Sequence, residues 1–169
     1  EEERLKALVD NLGIAKQVHF LGFRSDIKEL LNAADVFLFT TKQEGLPRSM
    51  MEAMASGLPC IASRIRGNTD LLDGTGGGFL CEPTDVSAYA EKLKLLASDK
   101  ILRKTMGRNN LITIQKFSIE TVNGEIRKKY EQKSNGAVTL NEYIQSLLDY
   151  FPLWAKKRIE LSIPLDAFL

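Results

Sequence analysis

"DVFLFTTKQEGLPRSMMEAMASGLPCIAS", Asp35–Ser63, sets two apolar runs on either side of a loop and a helix-forming stretch. The first run, "DVFLFT" (Asp35–Thr40), is continuous, as expected of a strand buried on both faces. The second, "PCIAS" (Pro59–Ser63), reads the same way. Between them Pro47 marks a helix start, since its fixed φ suits a first turn and its missing N–H would be unpaired there anyway. Strand, loop, helix and strand in this order predict an α/β layer with a parallel sheet. Ligands of such sheets bind at the carboxyl ends of the strands, where loops enter the following helices. The loop holding Glu44 and Gly45 is therefore the first place to look for function.

The flanking sequence continues the alternation. Leu5, Leu8, Val9 and Leu12 have helical spacing, and Gly13 supplies a stop. "VHFLG" (Val18–Gly22) reads as a short strand, and Ser25 as the N-cap of a helix with Ile27, Leu30 and Leu31 on one face. Downstream, "GNTDLL" predicts a short helix that Asn68 caps, and "GGGFLCEP" a glycine turn with another short strand. Asp85 is placed to cap "VSAYAEKLKLLAS", and two basic helices are expected to about Lys133. "KSNGAV" (Lys133–Val138) changes composition like a linker. Residues 134–169 then read as a helical extension, with a capping box at Thr139 and Glu142 and an aromatic-basic stretch, "FPLWAKKRIEL".

Composition narrows the function classes. The chain has 169 residues, 44% hydrophobic and 27% charged, so it can bury a core without disulfide staples. A net charge of +1 gives no argument for a nucleic-acid partner. The charge is unevenly spread, however. Lys100, Arg103, Lys104, Arg108, Lys116, Arg127, Lys128, Lys129 and Lys133 face only Glu120, Glu125 and Glu131 in the same stretch. That pattern fits either a solvated helix surface or peripheral contact with an anionic membrane. Cys60 and Cys81 lie in apolar runs and read as a reduced, buried pair in a cytoplasmic protein. His19 is the only histidine, so neither a histidine-built metal site nor a local Ser-His-Asp arrangement is expected. There is no signal peptide pattern and no run of apolar residues long enough to span a bilayer.

The chemistry concentrates around Glu44 and Glu52. Backbone N–H groups from Leu46 to Ser49 lie at the positive end of the helix dipole, a ready anion site. Gly45 lets a ligand approach the backbone closely. Glu52 stands roughly 7.5 Å along the helix axis from Pro47. An extended ligand is thus held at three points: hydroxyls on Glu44, a phosphate on the helix start, further hydroxyls on Glu52. A nucleotide-diphosphate sugar has that order of sugar, pyrophosphate and ribose. The bland alternative is that both acids are solvent-facing carboxylates near a helix N-terminus.

"FLGFRSDIKELLNAADVFLFTTKQEGLPRSMMEAMASGLPCIASRIRGNTDLL" (Phe20–Leu72) resembles the carboxyl-terminal, donor-binding half of a family 4 retaining glycosyltransferase. That family has the two-Rossmann-domain (GT-B) architecture. The Glu, seven residues, Glu motif falls on Glu44 and Glu52, and the likeness covers roughly residues 1–132. The resemblance implies a Rossmann-like parallel sheet flanked by helices over 1–133, as half of that architecture, with the acceptor-binding half upstream. It implies that Glu44 contacts donor sugar hydroxyls at the reacting end, as a positioning group rather than a proton shuttle. Gly45, Leu46, Pro47, Arg48 and Ser49 would lie along the sugar and phosphates, and Glu52 would hold the ribose. Phe23 and Arg24 would border the nucleobase. Arg24 and Arg66 could equally pair with local acids. A UDP-linked donor, no cofactor and no metal are implied, and there is no DxD ligand pair. The Arg and Lys that such enzymes place near the start of this half lie before the chain begins, so the chain alone is expected to bind donor and not transfer. The alternatives are a sugar-nucleotide epimerase on the same architecture and a stand-alone nucleotide-binding or interaction module.

Overall fold

The computed structural model describes residues 1–134. The expected linker beyond Ser134 and the capping box and aromatic-basic stretch that follow lie outside the described residues. Glu1–Ile114 packs as one compact unit, and a second begins at Gln115, upstream of the composition change at Lys133. The first unit runs α1 (Glu2–Asn11), α2 (Ile27–Ala33), β1 (Phe37–Phe39), α3 (Arg48–Ala55), β2 (Cys60–Ser63), α4 (Asn68–Leu72), β3 (Gly78–Cys81), α5 (Val86–Ser98) and α6 (Lys100–Ile114). In the second unit a 3-10 turn at Gln115–Phe117 precedes α7 (Ile119–Ser134).

The three strands form a parallel sheet in the order β1-β2-β3. Phe37 pairs with Cys60 and Phe39 with Ala62, while Cys60 pairs with Gly78 and Ser63 with Cys81. Parallel neighbours need a crossover, and α3 and α4 supply the two here. β2 is central and every residue in it is buried. One core cluster joins Ile61, Cys81, Tyr89, Leu96 and Met106, tying the sheet to α5 and α6. Met50, Ala53 and Met54 bury the inner face of α3. The N-terminal ends of β2 and β3 are pinned by a buried amide. Asn110 Nδ2 donates to the carbonyls of Leu58 and Gly77, both at 2.7 Å.

Four expectations need correction. Val18–Gly22 forms no strand: it has no ladder partner among the described residues, and Gly22 turns the chain at φ +60°. β1 is not buried on both faces: it is an edge strand, and Leu38 is 43% exposed. Asp26, not Ser25, takes the N-cap position of α2, and its carboxylate pairs with Arg24 instead of capping. Asn68 does not cap α4 but is its first residue, with Gly67 at the cap and the Asn68 side chain fully buried. By contrast, the Asp85 carboxylate does accept from Ala88 N at the start of α5, at 3.0 Å.

Burial at the centre of the sheet pushes the Cys60 thiol up to about 12 from an ordinary 9.0. Above pH 9 the unfolded chain releases a proton that the folded chain keeps, so this residue makes stability fall as pH rises through that window. Urea titrations from pH 8 to 11 should show a shallower decline for Cys60→Ala than for the unaltered chain; identical slopes contradict the burial account.

Candidate functional site

The loop between β1 and α3 lies at the carboxyl end of the sheet, and three interactions fix its course. The Ser63 hydroxyl, at the end of β2, donates to the Thr41 carbonyl. Asn68 Nδ2 donates to the Ser63 carbonyl at 2.9 Å and to Ser63 Oγ at 3.3 Å. Thr41 Oγ1 donates in turn to Glu44 Oε1 at 3.2 Å. The segment after β2 presses on the same loop from the side. Gly67 sits at φ +84°, and a Cβ there would stand 2.4 Å from the Gly45 carbonyl oxygen and 3.0 Å from that of Glu44. The half-buried Glu44 carboxylate is therefore carried on a loop stitched to two strand ends.

Pro47 is buried and takes the N-cap position of α3 with an extended ψ of 106°, one residue before the place its sequence context suggested. Its side chain has no oxygen with which to cap, and no acid stands in the first turn. Met51 N reaches the Pro47 carbonyl at 3.1 Å, which leaves the N–H groups of Arg48, Ser49 and Met50 without an intrahelical acceptor. α5 shows the contrast: there an aspartate fills that need. The positive end of α3 is thus left uncapped by side chains, beside exposed Gly45, Leu46, Arg48 and Ser49.

Glu52 lies one turn further along, about 6 Å from the level of Arg48. Arg48 Nε donates to Glu52 Oε1 at 3.0 Å, an exposed pair of the kind that is readily exchanged for a ligand. The Glu52 side chain also lines a hollow of about 330 Å³ between α2 and α3, with Ile27, Lys28, Leu31, Ala55 and Ser56. Apolar walls with one carboxylate and one ammonium suit a ring bearing hydroxyls. Phe23 is 98% exposed. Arg24 is drawn into a two-point pair with Asp26 at 2.7 and 2.5 Å, which holds the Asp26 carboxyl below its ordinary range. Arg66 is exposed.

The model of the family "Glycosyl transferases group 1" matches residues 1–111. The chain belongs to that family. Among curated members, it is 38% identical over 92 residues to the Escherichia coli UDP-Gal:alpha-D-GlcNAc-diphosphoundecaprenol alpha-1,3-galactosyltransferase, covering 54% of this chain and 24% of the relative. Among solved structures, Anabaena HepE in complex with UDP-glucose superposes with a TM-score of 0.69 at 30% identity, over 77% of this chain and 36% of that one. The C-terminal domain of the group 1 protein LpcC from Francisella tularensis superposes at 0.65 with 29% identity, over 70% of this chain and 63% of that one. The α/β fold of this group 1 domain is that of the GT-B glycosyltransferases. The chain spans about a quarter to a third of the length of the curated relatives it matches.

Sequence reasoning named the acids and the helix start of this group 1 domain, missed Thr41, Ser63, Gly67 and Lys28, and read Asn68 only as a cap. Ser63 carries a faint signal, being a polar residue that closes an otherwise apolar strand. Lys28 carries none, because only the packing of α2 beside α3 brings it to Glu52. Gly67→Ala should destabilise the chain by more than about 1 kcal/mol, since it combines a left-handed φ with a backbone collision. Gly45→Ala, whose Cβ would meet nothing within 4 Å, should stay within about 0.5 kcal/mol in the same urea titration. Equal effects contradict the stitched-loop geometry.

Proposed function

We propose that the Glu1–Ile114 unit is the donor-binding part of a retaining hexosyltransferase that uses a UDP-linked sugar. The uncapped amino end of α3 between two carboxylates carries this reading. In it the diphosphate accepts from the N–H groups of Arg48 and Ser49, the exposed first residues of α3, where the helix dipole favours negative charge. Glu52 leaves Arg48 and accepts from the ribose hydroxyls at the mouth of the α2–α3 hollow. Glu44, oriented by Thr41, accepts from the sugar hydroxyls and positions the anomeric carbon. Phe23 and Arg24 border the base. As the sugar–phosphate bond breaks, charge grows on the diphosphate oxygens, and fixed N–H donors stabilise that charge without reorganising. The chain's own residues supply this without a metal ion or cofactor. The solved relatives that bind UDP and UDP-glucose support the ligand class.

The acceptor is a glycan or a lipid-linked saccharide, in line with the diphosphoundecaprenol named for two relatives, from Escherichia coli and Campylobacter jejuni. A polysaccharide or surface-glycan assembly role follows from that acceptor class. In this reading the acceptor-binding groups belong to a separate domain, and further cations for the diphosphate belong to the opening strand and loop of the donor-binding half. Alone, the chain binds donor and does not transfer it.

Calorimetry with UDP and UDP-glucose tests the assignment residue by residue. Glu52→Gln should weaken both ligands by about 1.5–3 kcal/mol, the worth of a hydrogen bond to a charged group. Glu44→Gln should weaken UDP-glucose and leave UDP unchanged, because it meets only the sugar. Gly45→Ala should weaken UDP-glucose in a chain whose folding is intact. The reading fails if the folded chain binds neither ligand, or if Glu52→Gln binds UDP as the unaltered chain does.

A further inference from the structure

The helix α6 buries one side and leaves another in solvent. Met106, Gly107, Asn110 and Ile114 point inward. Lys100, Ile101, Lys104, Thr105, Arg108 and Ile112 are exposed, with Ile101 at 79% and Ile112 at 65%. At 3.6 residues per turn, Ile101, Arg108 and Ile112 fall within about 40° of one another around the axis, with Lys104 beside them. The stripe runs roughly 16 Å along the helix.

Its charge is of one sign. No Asp or Glu occurs in Lys100–Ile114. The acid just before it, Asp99, is occupied in accepting from Leu102 N at 2.8 Å. Arg103 is turned away from the stripe: it donates to the Leu96 and Ala97 carbonyls at the end of α5 and faces Asp35 at 3.5 Å. Lys100, Lys104 and Arg108 form no ion pair among the described residues.

We propose that this face of α6 docks on an anionic lipid surface. Isolated exposed isoleucines are ordinary on a soluble protein. Two on one helical stripe, with Arg108 between them and Lys104 beside them, give the two signals that peripheral membrane attachment combines: shallow apolar insertion and attraction to acidic headgroups. A nucleic acid would use the cations and leave the isoleucines idle. Among the described residues no helix is long and apolar enough to cross a membrane, so the contact is one of lying on the surface. The inference is independent of the donor site.

Cosedimentation of the full 169-residue chain with vesicles provides the test. Binding to phosphatidylglycerol-containing vesicles should exceed binding to pure phosphatidylcholine by about tenfold or more and should fall as salt is raised. The Lys104→Gln, Arg108→Gln double variant and the Ile101→Ser, Ile112→Ser double variant should each lose about tenfold, with unchanged melting temperatures because all four positions are exposed. The proposal is overturned if the chain binds no vesicles, or if both variants bind as the unaltered chain does, which would place the contact in other residues. It is also overturned if the chain prefers a DNA duplex to the vesicles and the isoleucine pair makes no difference.

Discussion

An unfilled hydrogen-bonding requirement governs this molecule: α3 begins with two exposed residues, Arg48 and Ser49, whose N–H groups have no intrahelical acceptor and no capping side chain to receive them. α5 in the same unit is capped by Asp85, whereas α1, α2 and α4, like α3, receive no hydrogen bond from an N-cap side chain. α3 forgoes the cap and is held instead by burial of Met50, Ala53 and Met54, which lets its positive end stay open. Core and candidate site are thus separated along one helix, with the inner face holding the element and the end left open.

An open helix end is useful only if it is held still. The hydroxyl of Ser63, the amide of Asn68 and the bare backbone of Gly67 fix the loop that leads into α3. All three come from β2 or the segment after it, so the central strand both anchors the core and aims the loop. Donors that need not reorganise when charge develops are the most effective electrostatic stabilisers of a departing diphosphate. In the proposed reaction the fold contributes that preorganisation, and little other chemistry is asked of this unit.

Much of this was legible in the sequence, for identifiable reasons. β2 and α5 were read correctly because a fully buried strand is apolar throughout, and an Asp before a helix-periodic run is a strong start signal. The edge position of β1 and the absence of a strand at Val18–Gly22 depend on which neighbours a strand finds, and local pattern holds no record of that. The site was half legible. Glu44, Pro47 and Glu52 advertise themselves by type and spacing around a helix start. Lys28, Thr41 and Asn68 are ordinary polar residues until packing brings them to the loop or the hollow. Asn68 shows the difference clearly: it looked like a cap, and in the fold it is a buried tie between α4 and β2.

The most direct examination of the open helix end is amide-resolved NMR of the chain titrated with UDP. Binding at α3 predicts that the Arg48 and Ser49 amide resonances move downfield together with saturation at one affinity, while the Ala88 amide, already bonded to Asp85, stays in place. Saturable binding that shifts other amides and leaves those two unmoved would contradict the account at its root.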